Sequence, residues 1–224
     1  MDGDVAPLKA LIEVAQRYKC RIMVDEAHGT GVLGAHGRGA AEAQGVHDQV
    51  DLILGTFSKT FGATGGFVTG KKQVVDYIRH YGRSYIFTAS PAPSVIAGVR
   101  AALQILIDEP GLRETLWKNI RHFHKDMTAL GLSVRPPAPE SAILSVIVGP
   151  DAALRPVARA VFEKGLFVGS AAYPAVTKNA SRLRFGLSAL HTRPQLDQAC
   201  RIMKELCREY PILLQNSREE GAAT

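Results

Sequence analysis

Asp25, His28, Thr56, Ser58 and Lys59 are the residues of this sequence whose types and spacing could do chemistry together. Asp25 and His28 stand three apart in the run MVDEAH at residues 23–28. Thr56, Ser58 and Lys59 follow the apolar residues Leu52, Ile53 and Leu54 in DLILGTFSKTFGATGG, whose glycines include Gly62, Gly65 and Gly66. Each group is led by a short apolar run of the kind that makes a buried parallel strand, with polar residues where the strand ends. Ligands bind at the carboxyl ends of strands in open α/β sheets, so both groups are expected to converge on one crevice.

An acid, an imidazole, a hydroxyl and an amine in one crevice meet the needs of pyridoxal phosphate. A lysine forms a Schiff base with the aldehyde, and an aspartate keeps the pyridine nitrogen protonated so that the ring acts as an electron sink. Hydroxyl and backbone N–H donors hold the phosphate. Burial of Lys59 beside the cationic ring would let its amine serve as a base at neutral pH. Taken singly, each residue also has an ordinary role. A strand-end lysine is usually solvated, Asp25 could cap a helix or close a turn, and His28 could be a hydrogen-bonded, partly buried histidine.

Four stretches go further than residue types: MVDEAHGTGVLGAHGRG, GTFSKTFGATGG, RSYIFTASPAPS and RLRFGLSALHT. In this order they resemble the α-oxoamine synthases, a family of pyridoxal phosphate enzymes that includes 8-amino-7-oxononanoate synthase, glycine C-acetyltransferase, serine palmitoyltransferase and 5-aminolevulinate synthase. The resemblance runs over nearly the whole chain. It implies that Asp25 pairs with the pyridine nitrogen, His28 hydrogen-bonds the ring hydroxyl oxygen, Thr56 binds phosphate and Lys59 is the Schiff-base lysine. Thr88 matches a threonine that reaches the phosphate from the neighbouring subunit of a homodimer. Arg184 matches the arginine that grips the amino-acid carboxylate, for which a guanidinium fork is well shaped. Otherwise Arg184 is a surface strand arginine, and the nearby Arg182 is taken as an example of that ordinary kind.

The implied reaction is a decarboxylating condensation of an amino acid with an acyl-CoA. Two other readings stand beside it: an aminotransferase of the same fold, which would share Asp25 and Lys59, and a catalytically incomplete fragment or partner subunit. The second arises because the family carries its counterpart of MDGDVAPL in the interior of the chain. Roughly the first half of a family member, with its glycine-containing phosphate loop and the residue that stacks on the ring, is therefore expected to be missing.

Composition agrees with an ordinary globular chain. In 224 residues, 46% hydrophobic content is enough for a core of one or two domains. The net charge of +6 suits a phosphorylated cofactor and an anionic thioester. Its basic residues are scattered, so no nucleic-acid surface is expected. Cys20, Cys200 and Cys207 have no metal-ligand spacing, and no metal site is expected; an odd number of thiols points to a reducing, cytoplasmic setting. No signal peptide is visible, and no apolar run approaches the ~20 residues of a membrane span. The glycines at 29, 31, 34, 37 and 39 mark a loop and lack a dinucleotide fingerprint.

The fold class expected is α/β: the C-terminal part of a fold-type I pyridoxal phosphate transferase large domain, followed by a small α+β domain. Residues 1–108 would be the remainder of the large domain, 109–216 the small domain with its linking helix, and 217–224 a frayed tail. Periodicity predicts a helix over 7–18 with Leu8, Leu11, Ile12 and Ala15 on one face, and strands at 21–24, 52–54 and 66–69. A helix follows at 71–80. Two apolar stripes, Ile96–Val99–Leu103–Leu106 and Leu112–Leu116–Ile120–Phe123–Met127, predict core-facing helices interrupted by DEPG. Strands are expected at 142–148, 166–169 and 182–187, with a helix at 154–164. Thr192 and Gln195 form a capping box for a last helix carrying Leu196, Cys200, Met203 and Cys207.

Overall fold

The structure, a computed structural model, describes residues 1–214. The chain divides into two compact units, one of Ala6–Arg113 and one formed by Met1–Val5 with the chain from Glu114 onward.

In the unit of residues 6–113, α1 (Leu8–Arg17) buries Leu8, Ile12 and Ala15. Leu11 was expected on that face and is 47% exposed. It lies about 60° around the helix from Leu8, at the edge of a narrow stripe. β1 (Met23–Asp25) pairs parallel with β2 (Leu52–Thr56), and β2 pairs antiparallel with β3 (Gly66–Gly70). β1 begins later than expected because the Ile22 N–H is taken by the Asp51 carboxylate at 2.9 Å, which also accepts from Arg21 at 2.9 Å. The glycine loop after β1 contains a short helix, α2 (Ala40–Ala43). Three further helices follow: α3 (Lys72–Tyr81), α4 (Arg83–Ile86) and α5 (Pro93–Asp108).

The stripe on α5 departs from expectation. Of its four residues Val99 is buried, while Ile96 is 45% and Leu103 43% exposed. The described residues of this unit thus leave much of the apolar surface of α5 uncovered. Part of its wall borders a cavity of about 770 Å³ lined by Phe57, Phe61, Phe67, Val99, Leu103 and Ile107.

The second unit is an α+β arrangement with a dense core. α6 (Pro110–Ala129) begins at the proline of DEPG and buries Leu116, Ile120, Phe123 and Met127 of the expected stripe, while the first residue of that stripe, Leu112, is 39% exposed. The antiparallel sheet runs β4 (Val134–Arg135), β5 (Ile143–Gly149), β7 (Ser181–Gly186), β6 (Gly169–Ala171). α7 (Asp151–Glu163) and α8 (Arg193–Glu209) complete the core, where Met127, Val146, Val157, Leu183 and Met203 are fully buried. β6 begins three residues later than expected. Leu166 and Val168 pack against the core without joining the ladder, which starts where Gly169 meets Arg184. The capping box at Thr192 and Gln195 is present, with the Thr192 N–H donating to Gln195 Oε1 at 2.8 Å.

Residues 1–5 belong with the second unit rather than the first, unlike the expected division at 108/109. The reason lies in side-chain hydrogen bonds: Ser141 donates to the Gly3 carbonyl at 2.7 Å, Ser145 to the Met1 carbonyl at 2.8 Å, and the Val5 N–H to Glu140 at 2.8 Å. Arg182 also corrects its expectation. It is 7% exposed, ion-paired with Asp2 and donating to the Ala180 carbonyl, so it is a structural arginine. The expected tail at 217–224 lies outside the described residues. Among the described residues, no helix is long and apolar enough to cross a membrane.

Candidate functional site

The parallel pairing of β1 with β2 creates the site. Asp25 is the last residue of β1 and stands in register with Leu54, two residues before β2 ends at Thr56. The Glu26 N–H extends the ladder to the Leu54 carbonyl at 2.7 Å. Because the strands run the same way, the loops that follow them, one carrying His28 and the other Lys59, leave from the same end of the strand pair as Asp25 and Thr56.

Each side chain is held differently. Asp25 is exposed, and its Oδ1 accepts the Ala27 N–H at 2.8 Å, which orients the carboxylate as in an Asx turn. The Thr56 hydroxyl lies 2.9 Å from that of Ser58 and donates to the Gly65 carbonyl at 3.2 Å. Lys59 sits at the start of a tight turn, closed by the Gly62 N–H to the Lys59 carbonyl at 3.1 Å and the Ala63 N–H to the Phe57 carbonyl at 2.8 Å. Its amine is exposed and engages no other side chain among the described residues, so the expected burial of Lys59 is not supplied by these residues. His28 is exposed at the start of the glycine loop.

Beneath this edge lies a residue that the motif reading passed over. Glu26 is 1% exposed, and its carboxylate accepts the N–H of Ala40 at 2.8 Å and of Ala41 at 2.9 Å. A Cβ at Gly29 or Gly39 would collide with that carboxylate, and Gly39 has φ +108°. Glu26 therefore pins the glycine loop behind His28. A second acidic residue, Glu42, closes the same loop: it accepts from His36 and Arg38, including the His36 ring at 2.6 Å. Burial pushes the Glu42 carboxyl up, but the N–H groups of Arg38 and His36 together with the imidazole prevail and hold it below the usual carboxylate range.

The remaining two candidates lie apart in the chain. Thr88 follows α4, is exposed, and donates its hydroxyl to the Ser84 carbonyl one turn back. Arg184 is a half-buried residue of β7 in the other unit, opposite Ser145 and Gly169 in register.

The profile described as aminotransferase class I and II matches residues 1–203, and the chain belongs to that family. Within it, the chain is 35% identical over 213 residues to 8-amino-7-oxononanoate synthase 1 of Bacillus subtilis (strain 168), covering 95% of this chain and 54% of that protein. It is 38% identical over 212 residues to serine palmitoyltransferase of Sphingobacterium spiritivorum, covering 95% and 53%. A solved serine palmitoyltransferase, carrying PLP as the internal aldimine, superposes with a TM-score of 0.90 at 35% identity, covering 95% of this chain and 53% of that one. The chain thus spans about half the length of the relatives it matches, and those relatives are two of the enzymes its motifs resemble.

Proposed function

We propose that the chain carries part of the active site of an α-oxoamine synthase that uses pyridoxal phosphate. The observation that supports this most directly is the parallel register of β1 and β2, which gives Asp25 and the Lys59 turn one shared edge. The residues fit the cofactor: an exposed amine with no side-chain partner among the described residues, an exposed carboxylate at the end of the neighbouring parallel strand, and two hydroxyls 2.9 Å apart at the end of β2.

In this role the Lys59 amine would hold the cofactor through its aldehyde and, once displaced by the substrate amino group, would be free to move the proton at the substrate α-carbon. Asp25 pairs with the ring nitrogen, His28 hydrogen-bonds the ring hydroxyl oxygen, and Thr56 binds the phosphate. Thr88 serves the phosphate of the neighbouring subunit in a homodimer, and Arg184 grips the amino-acid carboxylate through its planar fork. The bound cofactor supplies an electron sink. The overall reaction joins the amino-acid α-carbon to the acyl carbonyl of an acyl-CoA and releases carbon dioxide and free CoA. Residues 6–113 then represent the remainder of the large domain, and residues 1–5 with the chain from Glu114 onward the small one. Three free cysteines agree with a cytoplasmic setting.

The test supplies the purified chain with pyridoxal phosphate, an amino acid and an acyl-CoA, and measures CoA release. CoA release without transfer of the amino group to a keto acid supports the synthase. Amino transfer without CoA release would assign an aminotransferase instead.

A second reading is favoured by the half-length match and by the exposed apolar side chains of residues 6–113, among them Phe87 at 86% and Ile107 at 63%. On that reading the chain is an incomplete piece or a partner subunit. No CoA release by the chain alone, together with its stable association with a complete homologue in size-exclusion chromatography, would support it.

A further inference from the structure

Thr60 follows Lys59, and its side chain turns back toward the other half of the site. The Thr60 hydroxyl donates to the Thr30 carbonyl at 2.6 Å, across thirty residues of sequence. Its methyl fills the space that a Cβ on Gly31 would need, and Gly31 has φ +81°. The acceptor is itself fixed. Both the N–H and the hydroxyl of Thr30 donate to the Glu26 carbonyl at 2.9 Å, and the Gly31 N–H donates to the Gly37 carbonyl at 2.8 Å. On the other side, the bonds from Gly62 to Lys59 and from Ala63 to Phe57 make the Lys59 turn one closed unit. A restraint placed on Thr60 is therefore passed to Lys59.

We propose that Thr60 is a positioning residue for Lys59: by tying the lysine turn to the loop behind His28, it holds the amine at the edge that carries Asp25. The bond is made by the hydroxyl, so serine can keep it at this position and valine, of the same shape as threonine, cannot. The proposal rests on the reading of Lys59 as the amine that holds the cofactor aldehyde.

The test compares the 224-residue chain with its Thr60→Val and Thr60→Ser variants. Thr60 is exposed, so both variants are expected to melt with the parent. Hydrogen exchange without cofactor is expected to accelerate about fivefold in Thr60→Val at the amides of residues 30–32 and 62–63, and to stay near the parent rate in Thr60→Ser. Pyridoxal phosphate at sub-saturating concentration, fixed with borohydride, is expected to label Lys59 about fivefold less in Thr60→Val, with recovery in Thr60→Ser. Parental exchange rates in Thr60→Val would overturn the proposal, as would parental labelling of Lys59 in that variant. A parent chain that takes no label at all would contradict the cofactor reading, while the exchange rates would still decide whether Thr60 restrains the Lys59 turn.

Discussion

The carboxylate of Glu26, one residue beyond Asp25, accepts the backbone N–H of Ala40 at 2.8 Å in a setting where Glu26 is 1% exposed. Asp25 and Glu26 are neighbours with opposite tasks. The first faces solvent at the strand end, and the second is spent wholly inside on holding the glycine loop.

That division predicts large effects from changes nobody would place in the chemistry. Glu26→Ala leaves two buried N–H groups without partners and is expected to cost about 3 kcal/mol, since each unsatisfied buried donor costs roughly 1–3 kcal/mol. Gly39→Ala is expected to destabilise as well, because the new Cβ meets the Glu26 carboxylate at a positive φ. Urea unfolding of both variants, followed by circular dichroism, measures the losses. Parental midpoints would mean that the loop does not depend on this carboxylate.

The three thiols should separate cleanly. Burial, followed by the negative charges of Asp126 and Asp197, pushes the Cys200 thiol up to about 12, and burial raises Cys207. Cys20 is exposed. A disulfide reagent at pH 8 is expected to modify Cys20 quickly and the other two upon unfolding, because the thiolate is the reactive form. Rapid modification of Cys200 in the native chain would contradict the packing of α6 against α8.

Acid should loosen that same contact. His122 reaches Asp197 at 2.9 Å and Asp126 at 3.4 Å, while Arg193 also pairs with Asp197 at 3.0 Å. The hydrogen bond from His122, aided by Arg193, holds the Asp197 carboxyl below its usual 3.8. A depressed carboxyl stabilises the fold above its unfolded value and loses that contribution as pH falls through its folded value. Melting temperature is therefore expected to drop as pH falls below about 4, with a shallower drop in Asp197→Asn. Equal slopes in the two proteins would remove Asp197 from the acid response.

Arg184→Ala is expected to raise the KM for the amino acid about tenfold or more with a smaller change in kcat, the signature of lost ground-state binding. Steady-state kinetics on an active assembly read this directly. An unaltered KM would mean that Arg184 does not clamp the carboxylate.

Much of this was legible in the sequence because it depends on local pattern. The Leu8–Ile12–Ala15 face, the α6 stripe and the Thr192–Gln195 box each follow from periodicity or capping chemistry, and the strand before Lys59 from its apolar run. What could not be read depends on partners distant in sequence. Glu26 looks like any acid until Ala40 and Ala41 are seen to close on it, and Arg182 looks like a surface residue until residue 2 is brought beside it. Periodicity likewise marks the α5 stripe as apolar but cannot say what covers it. Thr60 carried no signal of its own; a threonine beside a lysine gains meaning only through the Thr30 carbonyl.

The most direct measurement fixes pyridoxal phosphate to the chain with borohydride and maps the modified peptide. One dominant modification is expected, at Lys59, and none at that position in Lys59→Ala. Modification spread over surface lysines such as Lys71 and Lys72, with Lys59 left free, would contradict it.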